Sequence, residues 1–142
     1  MTLRILIADD SRSLRQALKN MLSFSPEKWE ICGEAADGHE AVSQTVELKP
    51  DVVLLDLSIP ALSGIEVVKS LREKDSPATV VLMSQQDPEI MKRLAASACE
   101  TGQFFFATHQ GRALRPRLAL YSQPLLKELV ALGSRFLLIT LL

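Results

Sequence analysis

The chain has 142 residues, 47% hydrophobic and 23% charged, with a formal net charge of −1. That length suits one domain with a full core, and near-neutral charge gives no overall attraction to nucleic-acid phosphate or an anionic membrane. Cys32 and Cys99 form neither a disulfide framework nor a zinc spacing, so reduced thiols of the cytoplasm are expected. No signal-peptide pattern is expected either, because the apolar run after Arg4 reaches Asp9 and Asp10 too soon. The greasy stretch 136–142 is far too short to span a bilayer.

Residues 3–8 (Leu-Arg-Ile-Leu-Ile-Ala) read as a short strand that ends in the acidic pair Asp9-Asp10. Ser11 has the character of an N-cap, and Leu14, Ala17, Leu18, Met21 and Leu22 recur at helical spacing until Pro26. A weaker strand follows over 29–35, then the Ala36-Asp37-Gly38 turn. A helix carrying Ala41, Val42, Thr45 and Leu48 comes next and ends at Lys49-Pro50. The continuous apolar run from Val52 to Leu55 reads as a strand buried on both faces, as central parallel strands are. It ends in Asp56, a carboxylate that is costly there unless something uses it.

A loop punctuated by Pro60 and Gly64 leads to a helix with Ile65, Val68 and Leu71. Residues 79–83 form a fourth strand ending in Ser84, and Asp87-Pro88-Glu89 opens another helix. Strands alternating with helices through short connections predict a parallel sheet with helices on both faces. Beyond Cys99 the pattern weakens. Residues 104–108 (Phe-Phe-Phe-Ala-Thr) are a candidate fifth strand, Ser122 starts a candidate helix stopped at Gly133, and the last nine residues read as a strand or a disordered apolar tail.

In open parallel sheets ligands sit beyond the carboxyl ends of the strands, where strand order reverses. If the first and third strands are neighbours, Asp9, Asp10 and Asp56 converge on one crevice. Carboxylates that close raise each other's pKa unless a divalent cation is shared. Oxygen-only ligands suit Mg²⁺. A carboxylate beside such a cation is fit to be a phosphoryl acceptor, with Ser84 able to donate to a phosphoryl oxygen. Each feature has a plain reading when taken alone: Asp9-Asp10 as loop and cap, Asp56 with Pro60 and Gly64 as a strand-to-helix turn, Ser84 as one of many serines that end strands. Their order and spacing together favour the functional reading.

Leu6-Ile7-Ala8-Asp9-Asp10, then Asp56 with Pro60 four later and Gly64 eight later, then Val80-Val81-Leu82-Met83-Ser84, resemble the response-regulator receiver domain of two-component signalling. Residues 33–38 (Gly-Glu-Ala-Ala-Asp-Gly) with 65–68 are most similar to receivers that precede a LuxR/NarL-type helix-turn-helix output domain in transcription regulation. The resemblance covers residues 3 to about 98. It implies a doubly wound α/β fold, a flavodoxin-like (βα)5 sandwich with sheet order 2-1-3-4-5 and an irregular C-terminal portion. The receiver domain would span 1–130, divergent over 99–130, followed by an apolar tail over 131–142.

The resemblance also implies roles. Asp56 would be the phosphoacceptor in a phosphorelay, served by a sensor histidine kinase. Asp10 would bind Mg²⁺ directly and Asp9 mainly through water, with Asp56 and the main-chain carbonyl of Ser58 as further ligands. Ser84 would be the switch hydroxyl, and Pro60 and Gly64 would shape the loop. Phosphorylation would reorganise the face of the fourth helix, fifth strand and last helix, through which a second copy or an output partner would dock. No enzymatic activity, no nucleic acid bound by this chain and no membrane are expected.

One part of the family pattern is missing. Receivers carry a lysine at the end of the fifth strand, a position that falls near Phe106 to Thr108, yet no lysine stands between Lys92 and Lys127. Arg112 and Arg115 are the nearby cations, and a guanidinium is larger and planar. A second expectation is therefore a degenerate receiver-fold interaction or dimerisation module that does not switch on phosphorylation. Two rivals are weaker. An aspartyl-phosphate hydrolase of the haloacid-dehalogenase type wants an aspartate where Ser58 stands, and a dinucleotide-binding enzyme wants glycines that 9–13 lack.

Overall fold

A computed structural model describes residues 2–24, 28–84, 93, 104–107 and 135–140. In chain order the elements are β1 (Leu3–Ala8), α1 (Arg12–Ser23), β2 (Trp29–Ala35), α2 (Gly38–Leu48), β3 (Val52–Asp56), α3 (Gly64–Glu73), β4 (Thr79–Ser84), β5 (Phe104–Ala107) and β6 (Arg135–Thr140). The helices begin where the sequence supplies a cap. Ser11 Oγ accepts from the Leu14 amide at 3.2 Å, and an Asp37 carboxylate oxygen accepts from the Glu40 amide at 2.8 Å. Ser63 and Glu66 form a reciprocal capping box.

Alternation along the strands divides the core into two layers. Ile5, Ile7, Val52, Leu54, Val81 and Met83 face one way and pack with Leu18 and Leu22 of α1. Leu6, Ala8, Val53, Leu55, Val80 and Leu82 face the other way, onto Ala41 and Val42 of α2 and Val67, Val68 and Leu71 of α3. Both layers are nearly dry: Leu54 and Leu55 have no exposed surface. Burial on both faces explains why these strands read as continuous apolar runs rather than alternating ones. Trp29 covers the α1 layer from its margin, and half-buried Cys32 packs against the other.

The sheet order is β2-β1-β3-β4-β6-β5. β1 pairs in parallel with β2 and with β3, and β3 in parallel with β4. These four strands and their helices form the expected flavodoxin-like arrangement, with β1 and β3 adjacent.

The far side differs from the expected order 2-1-3-4-5. The slot beside β4 belongs to β6, which runs antiparallel to it, and among the described residues β5 pairs with β6 alone, at the outer edge. Length accounts for the exchange. β6 makes six register pairs with β4, from Thr79↔Thr140 to Ser84↔Arg135, whereas β5 offers four residues. The longer apolar run thus gains two neighbours and the shorter one takes the edge. Residues 135–140, which the sequence left as a strand or a loose tail, are therefore a strand inside the sheet. The helices expected from Asp87 and Ser122, and with them Cys99, His109, Arg112 and Arg115, lie outside the described residues, Arg93 excepted.

Candidate functional site

The carboxyl ends of β1 and β3 meet on one rim of the sheet. Asp9 continues the β1 ladder by one bond, its amide donating to the Ala35 carbonyl at 3.0 Å. It is 3% exposed, and its Oδ1 accepts from the Ser11 amide at 2.7 Å, so the turn into α1 fixes its side chain. Asp10, next along, is exposed. Asp56 closes β3 half-buried. Each of the three can place a carboxylate oxygen within 4.8 Å of the others. The cluster predicted from spacing is thus assembled.

The loop after Asp56 is held from several sides. The Leu57 amide donates to the Met83 carbonyl at 2.9 Å, and the Ile59 amide to the Asp56 carbonyl at 3.3 Å. Leu57 and Ile59 are buried beneath it. The Pro60 carbonyl accepts from Gly38, at the start of α2, and from Leu62, each at 2.9 Å. Ala61 adopts the left-handed backbone region, with φ 70°. Gly64 lies so close to β3 that a Cβ there would stand 2.8 Å from Leu57 Cα and 2.9 Å from the Asp56 carbonyl oxygen. Pro60 and Gly64 therefore both fix the path of the chain that leaves Asp56. Ser58 is exposed in this loop, directly after Leu57.

Ser84 ends β4 one residue beyond Met83, the register partner of Asp56. Its backbone is thus on the same rim, as expected.

The electrostatics are strained. Burial pushes the Asp56 carboxyl above the ordinary aspartate value, the charges of Asp9 and Asp10 push it further, and hydrogen bonds from the Ser58 and Leu57 amides oppose this. Burial also raises Asp9, with Asp10 adding to it, while the Ser11 amide and the Arg15 charge pull down. Ionising such a cluster costs free energy that a shared divalent cation removes. The donors are all hard oxygens, so they fit Mg²⁺ rather than a thiophilic metal.

Sequence reasoning missed a second layer around Asp9. Arg15 donates from Nη1 to the Asp9 carbonyl at 2.6 Å and from Nε to Glu34 at 3.1 Å. Lys19 donates to the other oxygen of Glu34 at 2.8 Å. These partners hold the Glu34 carboxyl below its ordinary value, the Lys19 hydrogen bond foremost. The available signal was Arg15 and Lys19 four apart on one helix face, opposite a lone acid near the end of β2.

The family model described as the response regulator receiver domain matches residues 5–104. The chemotaxis protein CheY of Thermotoga maritima is 35% identical over 88 residues, which cover 62% of this chain and 72% of that protein. A protein-glutamate methylesterase/protein-glutamine glutaminase of the same organism is 39% identical over 87 residues, 61% of this chain but 25% of that protein. The chain thus spans about a quarter of the length of the methylesterase relatives it matches.

Among solved structures, the response regulator domain of Thermotoga maritima CheB superposes with a TM-score of 0.64 at 28% identity, over 92% of this chain and 96% of that one. The receiver domain of the putative response regulator NarL from Mycobacterium tuberculosis gives 0.64 at 30% identity, over 68% and 77%. Domains of this type generally bind Mg²⁺ at an acidic pocket, typically interact with histidine kinases, and are generally not catalytic themselves. Among the described residues no helix is long and apolar enough to cross a membrane. The match over residues 5–104, the 2-1-3-4 parallel strands and the three-aspartate rim agree: this chain belongs to the response regulator receiver domain family.

Proposed function

We propose that this chain accepts a phosphoryl group on Asp56 from the phosphorylated histidine of a cytoplasmic sensor kinase. The observation that carries it is the meeting of Asp9, Asp10 and Asp56 at the rim, with Asp56 raised in pKa by burial and by its two neighbours. A carboxylate held ionised against that tendency is a stronger nucleophile than a free aspartate. An Asp56 oxygen attacks phosphorus, the P–O bond forming as the P–N bond breaks. The electron pair returns to the imidazole nitrogen, which takes up a proton.

Asp9, Asp10, Asp56 and the main-chain carbonyl of Ser58 would hold the Mg²⁺, which when bound neutralises charge on the phosphoryl oxygens. The residues of the chain do the rest. The Ser11 amide and Arg15 fix Asp9, and the loop shaped by Pro60 and Gly64 fixes the amides of Leu57 and Ser58 on Asp56. Ser84 is the hydroxyl that reports the phosphoryl group to the face of the sheet beyond β4. That face serves an output domain, of the helix-turn-helix kind in the LuxR/NarL subfamily, or a second copy of the chain.

The test is mass spectrometry of the intact chain after exposure to acetyl phosphate with and without Mg²⁺. The expected result is a single phosphoryl adduct that requires Mg²⁺ and disappears in Asp56→Asn. A chain that takes up no phosphoryl group at any Mg²⁺ concentration overturns the proposal.

A further inference from the structure

The loop that leaves Asp56 is tied down at both ends. The Leu57 amide donates to the Met83 carbonyl and the Gly64 amide to the Leu57 carbonyl, each at 2.9 Å. The middle of the loop, Pro60 to Leu62, is held by a different element. That element is α2, which contributes none of the three rim aspartates.

The first amides of a helix have no acceptor inside it. At the start of α2 the Glu40 amide is taken by the Asp37 carboxylate at 2.8 Å. The Gly38 amide instead leaves the helix and donates to the Pro60 carbonyl at 2.9 Å. The same carbonyl accepts from the Leu62 amide across Ala61, whose φ of 70° is a strained setting for a residue with a Cβ. Such a turn persists where its surroundings hold it. Gly38 is part of that hold.

The contact admits no side chain at position 38. A Cβ there would stand 2.5 Å from Leu62 Cβ and 2.9 Å from the Leu62 carbonyl carbon, and would overlap the carbonyl oxygen. These atoms belong to the backbone or hang directly from it, so no rotamer change clears them. Neither side can withdraw freely, because Ala41 and Thr45 are buried on α2 and Ile59 is buried in the loop. Ile59 is also the one residue between Ser58 and Pro60, so the segment has little slack. A shift of the Pro60 carbonyl therefore carries back to the Ser58 and Leu57 amides, which donate to Asp56.

We infer that Gly38 is a positioning residue for phosphoryl transfer: through it α2 holds Pro60 to Leu62, and so sets the amides that support Asp56. The inference rests on the phosphoacceptor role proposed above. Gly38 touches neither the phosphoryl group nor the metal ligands. It acts through the loop alone.

The test is the rate of phosphorylation of the full chain by acetyl phosphate in Mg²⁺, read by intact mass and scaled to the folded fraction. Gly38→Ala is expected to slow adduct formation about tenfold or more, as small misplacements remote from the reacting atoms can. Val42→Ala is the control. It opens a cavity under the same helix but leaves the Gly38 to Pro60 bond in place, so its folded fraction should react at a rate near that of the unaltered chain. A rate in Gly38→Ala no lower than in Val42→Ala overturns the inference while leaving the Asp56 proposal standing. An unlabelled natural chain overturns both.

A measurement without any variant covers the case in which Gly38→Ala fails to fold. If the hold of Gly38 on the loop favours the reactive geometry, filling the site must favour the hold by the same factor. Beryllofluoride with Mg²⁺, as a phosphoryl mimic, should therefore slow hydrogen exchange at the Gly38 amide of the natural chain more than at Ala41, whose amide bonds to the Asp37 carbonyl. Equal exchange at Gly38 with and without the mimic overturns the inference.

Discussion

β3 is flanked by two aspartates, and its two ends treat them in opposite ways. Asp51, just before the strand, accepts from the Arg4 amide at 2.8 Å, donates its own amide to the Arg4 carbonyl and accepts from Thr79 on its carbonyl. The Arg4 guanidinium goes on to the Leu48 and Lys49 carbonyls at the end of α2. Asp56, at the other end, has like charges for neighbours, opposed among the described residues by the Ser58 and Leu57 amides. One end of the strand is finished by the chain itself. The other gathers like charges, which is why the aspartate at 51 is structural and the one at 56 carries the proposed chemistry.

The strongest way to break the functional end is Gly64→Ala. The added Cβ falls within 3 Å of Leu57 Cα and of the Asp56 carbonyl, both backbone atoms that cannot swing aside. Overpacking of this kind costs about 1–3 kcal/mol, read as a lowered urea midpoint. The same shift displaces the amides that support Asp56, so phosphoryl labelling should fall with it. A variant with unchanged stability and labelling would show that the loop is not anchored where the geometry puts it.

Asp51→Ala probes the opposite end and separates the two roles. It removes the carboxylate partner of the Arg4 amide, for a loss of about 1 kcal/mol, while labelling of Asp56 should be unchanged. A labelling defect in Asp51→Ala would mean that the two ends of β3 are coupled.

The same contrast governs what could be read without coordinates. Buried parallel strands announce themselves as apolar runs, so Ile5 to Ala8, Val52 to Leu55 and Val80 to Met83 were legible, and the acids that end two of them stood out. The convergence of Asp9, Asp10 and Asp56 followed once β1 and β3 were taken as neighbours. Partner choice beyond β4 was not legible. Phe104–Ala107 and Arg135–Thr140 are both short apolar runs, and nothing local states which takes the inner slot or in which direction. The place of Arg135 opposite Ser84 gave no sign in the sequence, because it depends on the direction of a whole strand. Arg15 and Lys19 were hidden differently, as ordinary polar residues on a helix until Glu34 appeared opposite them.

The smallest effects are the pH responses of these acids, and their signs differ. Glu34 is held below its ordinary value of 4.5 by Lys19 and Arg15, so its stabilising contribution is present above pH 4.5 and is lost as pH falls through the lowered value. Asp56 is the reverse. Raised above 3.8, it binds its proton more tightly in the folded chain, so stability is lost as pH rises from 3.8 through the raised value, and the full cost remains above it. Asp56→Asn never ionises and escapes that cost. In metal-free buffer near neutral pH it should melt slightly above the unaltered chain, with the gain shrinking on acidification toward 3.8. Mg²⁺ should close or invert the gap, because it stabilises the ionised site and has less to bind in the variant. Glu34→Gln should melt below the unaltered chain at neutral pH and approach it in acid. Thermal melts of both variants across pH, with and without Mg²⁺, decide the matter: the two differences must have opposite sign, and only the one at Asp56 may depend on the metal.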